Sequence, residues 1–343
     1  MLRSLYKLSQ RIMNEYPISF WEFAQALFHL QYMECNQTQI DYWEPVTDRE
    51  RHCISYYWKF AEIAFGRFRI MPSVTDYWHD LDETLLKHCE IDSKDLVYSF
   101  WGYRQFFPGN YVIVHHKTKH VIWGIRATVT PEDIVMDVMA EAAPFLNQYA
   151  HQGMISAVGR LMQNVWPLVE KTLQRFADYS LLVTGHSLGA GVTALLTTYL
   201  YQHYGEQYTI HGIAYACPPC MNLQLAKESY SCVLAVTVED DIITRLSFHN
   251  FAMLKKRLML IDRVGLETDL EAHGYMKDKQ WLENGSWTDE KRLWMPQRQI
   301  FLYKDENGCV QAKSTDATQF DSMVINWHCV YDHSHVCYAD YLQ

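Results

Sequence analysis

A 343-residue chain with a formal net charge of −10 and a pI near 5.9 lacks the basic footprint that phosphate backbones select, which excludes nucleic acid as a partner on charge grounds. Hydrophobic residues make up 49% and aromatic residues 14%, enough for a large core or for a surface that meets apolar material. An acidic chain has no general attraction to anionic lipid, so any membrane contact has to rest on local basic or apolar patches.

In chain order, Met1 to Glu15 alternates charged and apolar residues and lacks the apolar core of a signal peptide. With nine cysteines, an odd number scattered from Cys35 to Cys337, this predicts a cytoplasmic protein with reduced thiols. The sequons at Asn36 and Asn284 then read as chance matches. Residues 1–105 predict a helical amino-terminal cap, with a capping box at Ser19-Phe20-Trp21-Glu22 and a second helix over Ile54 to Phe65. Residues 106–343 predict one α/β core with an insertion at about 248–298. Tyr111 to His116 and His120 to Ile125, joined by a Lys-Thr-Lys turn, predict a β-hairpin that starts the sheet. Apolar positions from Ile155 to Phe176 keep helical spacing and predict one long helix. Strands are expected at Leu181 to Thr184, Ile210 to Cys217, Cys232 to Val238 and Arg298 to Tyr303, so the sheet is expected to be mostly parallel and flanked by helices.

The strand at Leu181 runs straight into Gly185-His186-Ser187-Leu188-Gly189 and then a helix of small and apolar residues. Such a layout holds a serine on a strained strand-to-helix turn, with glycines where a side chain would collide with strand and helix. Ser187 is therefore the candidate nucleophile. The stretch from Tyr179 to Gly205 carries no charged side chain, but its glycines and turn divide it into strand, turn and helix rather than a membrane span.

A serine hydroxyl needs a histidine to take its proton and a carboxylate to orient that ring. With a serine on such an elbow the chain order is serine, acid, histidine. The strand ending at Val238 leads into Glu239-Asp240-Asp241, and Asp332-His333-Ser334-His335 lies near the carboxyl terminus.

These residues resemble the class 3 (fungal-type) lipases, and within them the sn-1-specific diacylglycerol lipases, over roughly residues 50–343. Arg126-Ala127-Thr128 is similar to that family's Arg-Gly-Ser/Thr, and His151-Gln152-Gly153 to its His-x-Gly. Asp241-Ile242-Ile243-Thr244-Arg245-Leu246 is similar to its Asp-x-Val-Pro-Arg-Leu, and Asp332-His333 with the downstream Tyr338 to its terminal Asp-His pair. The resemblance implies an α/β-hydrolase fold and a catalytic set of Ser187, Asp241 and His333. It implies an oxyanion hole from Thr128 and Leu188, no cofactor, no metal, and glycerolipid esters as substrates. Ala127 in place of glycine is expected to shift the loop of Thr128 if that position needs a positive φ, and Thr244 in place of proline to loosen a turn. These departures keep a catalytically weak lipid-binding or scaffold protein as the rival reading. The resemblance lacks the membrane-spanning amino-terminal region of the large animal enzymes, so membrane residence is not carried over.

Other residues have plainer readings. Glu239 and Asp240 are loop-end acids, each an alternative to Asp241. His151 reads as a packing or hydrogen-bonding residue and His186 as support for the turn. Cys217-Pro218-Pro219-Cys220 has the spacing of a redox or zinc pair but reads as structural filler, and His333, His335 and Cys337 alternate as metal ligands on one strand face would. The insertion is either a lid or a variable surface excursion. Phe251 to Ile261, with Lys255, Lys256 and Arg257, lies on a membrane or lipid-droplet surface or presents a solvated face.

Overall fold

The computed structural model describes residues 38, 40–65, 81–102, 106–126, 141–247, 249–251, 253–254 and 289–343. The capping box at Ser19, the Ala127-Thr128 pair and Lys255 to Arg257 lie outside the described residues. The chain opens with β1 (Glu44–Pro45), α1 (Asp48–Phe65), α2 (Leu81–Cys89), β2 (Leu96–Phe100), and the hairpin β3 (Asn110–His115) and β4 (His120–Ile125). Next come β5 (Ala142–Phe145), β6 (Gln148–His151), α3 (Gln152–Asn164), α4 (Trp166–Arg175), β7 (Ser180–His186) and α5 (Leu188–Tyr204). The remainder is β8 (Ile210–Tyr215), β9 (Met221–Asn222), α6 (Leu223–Glu228), β10 (Val233–Val238), β11 (Leu293–Trp294), β12 (Arg298–Lys304), β13 (Val310–Asp316) and α7 (His335–Leu342).

Among the described residues, nine strands form one sheet in the order β1-β13-β12-β10-β8-β7-β4-β3-β2. Its centre is parallel, with β4, β7, β8, β10 and β12 paired in that sense, and both wings are antiparallel. The parallel strands read as unbroken apolar runs because both faces are covered. In β7, Leu181 and Val183 enter the core under α3, α4 and α5, while Leu182 enters the core under α1 and α7. A small second sheet, in the order β11-β9-β6-β5, lies apart from the first.

Three differences from the sequence reading have physical causes. The stretch before residue 106 supplies two sheet strands as well as helices: β2 precedes the hairpin and β1 pairs with β13 at the opposite edge. The helix expected from Ile155 is broken at Val165, which sits at φ −120° between α3 and α4. Pro167 has no N–H to continue the ladder and its ring collides with the preceding turn, so the helix restarts with proline in its first turn. His335 and Cys337 stand on no strand, since Ser334 Oγ accepts from Cys337 N–H over 3.1 Å and caps α7 there.

Helix α1 begins at Asp48, six residues before its apolar pattern. Thr47 and Glu50 exchange capping bonds, Glu50 N–H to Thr47 Oγ1 at 3.2 Å and Thr47 N–H to Glu50 Oε2 at 3.0 Å. Ile54, Tyr57, Trp58 and Ala61 then fall on one helical face and are buried against the sheet, which brings Trp58 towards the end of β7.

Candidate active site

Ser187 leaves β7 at φ 59°, ψ −130°, a conformation that L-residues rarely adopt, and α5 starts at the next residue. The turn holds because Ser187 N–H donates to Tyr215 C=O at 2.9 Å and Ser187 C=O accepts from Ala190 N–H at 2.9 Å. A Cβ at Gly185 would lie 2.7 Å from the Ile125 carbonyl oxygen and 2.8 Å from Gly189 backbone atoms, so only glycine lets strand and helix approach this closely. Leu188 is the first residue of α5, where the helix geometry leaves the leading N–H groups without an internal acceptor.

Three side chains remote in sequence meet here. Ser187 Oγ lies 2.8 Å from His333 Nε2, and His333 Nδ1 lies 3.0 and 3.1 Å from the two oxygens of Asp241. A carboxylate only accepts, so it holds the proton on Nδ1 and leaves the Nε2 lone pair facing the serine hydroxyl. Asp241 is fully buried, and its charge is further compensated by Ile243 N–H at 2.9 Å and the Tyr338 hydroxyl at 2.8 Å. Burial and the neighbouring Asp241 push the Tyr338 phenol well above its ordinary range, so it stays a neutral donor.

An aromatic wall backs the triad. His186 stacks on His333 with centroids 5.0 Å apart, Trp58 stacks on Tyr338 at 5.6 Å, and Trp58 meets His186 edge-on at 5.7 Å. Burial, reinforced by His333 nearby, holds His186 far below the usual imidazole range, so it is neutral.

Of the three acids after β10, only Asp241 reaches His333. Glu239, at φ 45°, accepts from Lys304 N–H at 2.7 Å and from the Tyr341 hydroxyl at 2.6 Å. Asp240 accepts from Thr38 N–H at 2.8 Å, and its own N–H donates to Asp332 Oδ2 at 3.1 Å. Thr244 closes its turn instead of loosening it, donating to Asp241 C=O at 2.8 Å. His151 caps α3, Nδ1 accepting from Met154 N–H at 3.3 Å. Cys217 and Cys220 are buried beside each other, and burial pushes the Cys217 thiol well above its usual range, which is unreactive filler chemistry.

Sequence reasoning missed the pair formed by His328 Nδ1 and Asp332 Oδ2 at 2.6 Å, although a His-x-x-x-Asp spacing is the signal of one helical turn. Asp240, His328 and Asp332 bring potential ligand atoms within 4.8 Å of one another, but Asp240 is engaged by Thr38 and His328 by Asp332, whose Oδ2 also accepts from Asp240 N–H and so ties the turn of Asp241 to the turn of His333.

The family model "Lipase (class 3)" matches residues 122–251. Mouse diacylglycerol lipase-beta is 24% identical over 187 residues, 52% of this chain and 28% of that protein. Human diacylglycerol lipase-alpha is 28% identical over 195 residues, 53% of this chain and 18% of that protein. The matched part thus spans under a third of the length of these relatives. A mutant form of MDLA from Penicillium cyclopium superposes with a TM-score of 0.55 at 16% identity, covering 84% of this chain and 99% of that one. That likeness establishes the α/β-hydrolase fold. No helix of the described residues is long and apolar enough to cross a membrane. The matched stretch, well under half of the chain, holds β7, the serine turn and α5.

Proposed function

We propose that the chain is a serine hydrolase that cleaves carboxylic esters of glycerolipids through an acyl-enzyme. The observation that carries this reading is the unbroken relay from Ser187 Oγ through His333 to Asp241. Ser187 passes its proton to His333 Nε2 as Oγ bonds to the ester carbonyl carbon, and Asp241 stabilises the imidazolium that forms. The tetrahedral intermediate then expels the alkoxide, which takes the proton from His333. Water repeats the sequence on the acyl-enzyme and releases the fatty acid.

Leu188 N–H, at the positive end of α5, is one donor to the oxyanion, and Thr128 is assigned as the other from the Arg126-Ala127-Thr128 motif. Each such donor is worth about 10²-fold or more in rate. Diacylglycerol is the substrate class favoured by the names of the matched relatives. The same proposal places the protein in the cytoplasm with peripheral contact to lipid, motivated by nine scattered cysteines.

Release of oleate from monoolein, diolein and triolein by purified protein and by Ser187→Ala tests the reading. Turnover by the parent on at least one of them, abolished in the variant, supports it. No turnover of any of the three, with the fold intact, contradicts it and favours a lipid-binding role.

A further inference from the structure

We propose that Trp58 is a positioning residue for all three members of the triad, an inference that rests on the serine-hydrolase reading above. Its indole is buried and meets three rings. It stacks on Tyr338 with centroids 5.6 Å apart, and meets Tyr215 and His186 edge-on at 5.0 and 5.7 Å. Each of those rings belongs to a residue that holds a different triad member. Tyr338 donates its hydroxyl to Asp241 Oδ2 at 2.8 Å, and His186 stacks on His333 at 5.0 Å. Tyr215 accepts the Ser187 N–H on its carbonyl oxygen at 2.9 Å. Acid, base and nucleophile therefore each stand one residue away from the same side chain.

Trp58 is itself held by the seating of α1. The Tyr215 hydroxyl donates to Ile54 C=O at 2.6 Å and the Tyr111 hydroxyl to Phe60 C=O at 2.6 Å, so β8 and β3 fasten the helix on either side of residue 58. This helix lies outside residues 122–251, so the support reaches the triad from a part of the chain that the family model does not include. An indole is a costly filler for the place. Its Nε1–H finds no acceptor among the described residues, and a buried donor without a partner disfavours folding. A phenyl ring would fill apolar space without that cost. What the larger fused ring adds is simultaneous contact with all three supports, each in one of the geometries that aromatic pairs favour. The contacts matter to rate because the 2.8 Å approach of Ser187 Oγ to His333 and the 3.0 Å approach of His333 to Asp241 have to hold together.

The test compares Trp58→Leu with Phe60→Leu, a buried neighbour on α1 whose ring partners are Tyr56, Tyr57 and His115. The readouts are kcat and KM for soluble p-nitrophenyl butyrate, the thermal midpoint, and the low-field proton resonance of the imidazole N–H that bonds Asp241, assigned by its loss in His333→Ala. Both substitutions should lower the midpoint. Only Trp58→Leu should also lower kcat, by about tenfold or more with KM within about twofold, and broaden the low-field resonance. Trp58→Phe keeps one ring among the three supports and should fall by about threefold in kcat, and it carries the test alone where Trp58→Leu does not fold. Folded Trp58 variants with the kcat and the resonance of the parent overturn the proposal, as does a fall in kcat that Phe60→Leu matches. A parent that hydrolyses no ester contradicts the proposed function instead, while the resonance, which needs no turnover, still decides the role of Trp58.

Discussion

The hydroxyl of Tyr338 bonds Asp241 Oδ2 at 2.8 Å and also lies 3.2 Å from Val238 N–H, so one buried phenol joins the end of β10 to the carboxylate that faces His333. Tyr338→Phe keeps the ring stacked on Trp58 but strands two buried partners. We expect a loss of about 1–3 kcal/mol in stability and roughly a tenfold fall in kcat with KM unchanged, read from chemical denaturation and steady-state kinetics. A fall in KM-dependent binding alone would contradict the positioning role.

His186 supports His333 as a neutral ring. His186→Phe keeps an uncharged ring against it and should retain activity within about tenfold, whereas His186→Ala removes the stack and leaves a void, costing about 1–3 kcal/mol. Comparing kcat and unfolding midpoints of the two variants checks this, and equal behaviour of both would contradict it.

The backbone of Ser187 stores strain at φ 59°, ψ −130°. Both Ser187→Ala and Ser187→Gly remove the hydroxyl and its bond to His333, but only glycine relaxes this conformation. The glycine variant should be the more stable by about 1 kcal/mol, after allowing for its larger unfolded-state entropy. Paired thermal melts of the two inactive proteins give the sign directly.

Burial raises the Asp332 carboxyl to about 6, against the opposing effect of its bond with His328. A carboxyl raised on folding binds its proton more tightly in the native state, so its contribution to stability is greatest below the ordinary carboxylate range and is lost as pH rises through about 6. Asp332→Asn removes that dependence. The stability of wild type relative to the variant should therefore rise as pH is lowered from neutrality, and urea titrations across this range that run parallel would contradict the assignment.

The serine, its strand and its helix were legible because a buried parallel strand, two glycines and a small-residue helix write themselves locally. Asp241 and His333 needed the family resemblance, since Glu239, Asp240 and His335 are equivalent by residue type and only the folded turns separate them. Trp58 was hidden because its role depends on which face of α1 meets the sheet. The break at Pro167 was visible and overridden by an apolar period that continues on both sides of it.

Fluorophosphonate labelling with peptide mapping tests the central claim most directly, because the reagent reports a serine activated by its histidine. The account predicts modification of the wild-type peptide containing Ser187, none in Ser187→Ala, and labelling slowed by orders of magnitude in Asp241→Asn. Labelling that persists in Ser187→Ala, or a folded wild-type protein that takes up no reagent, would contradict it.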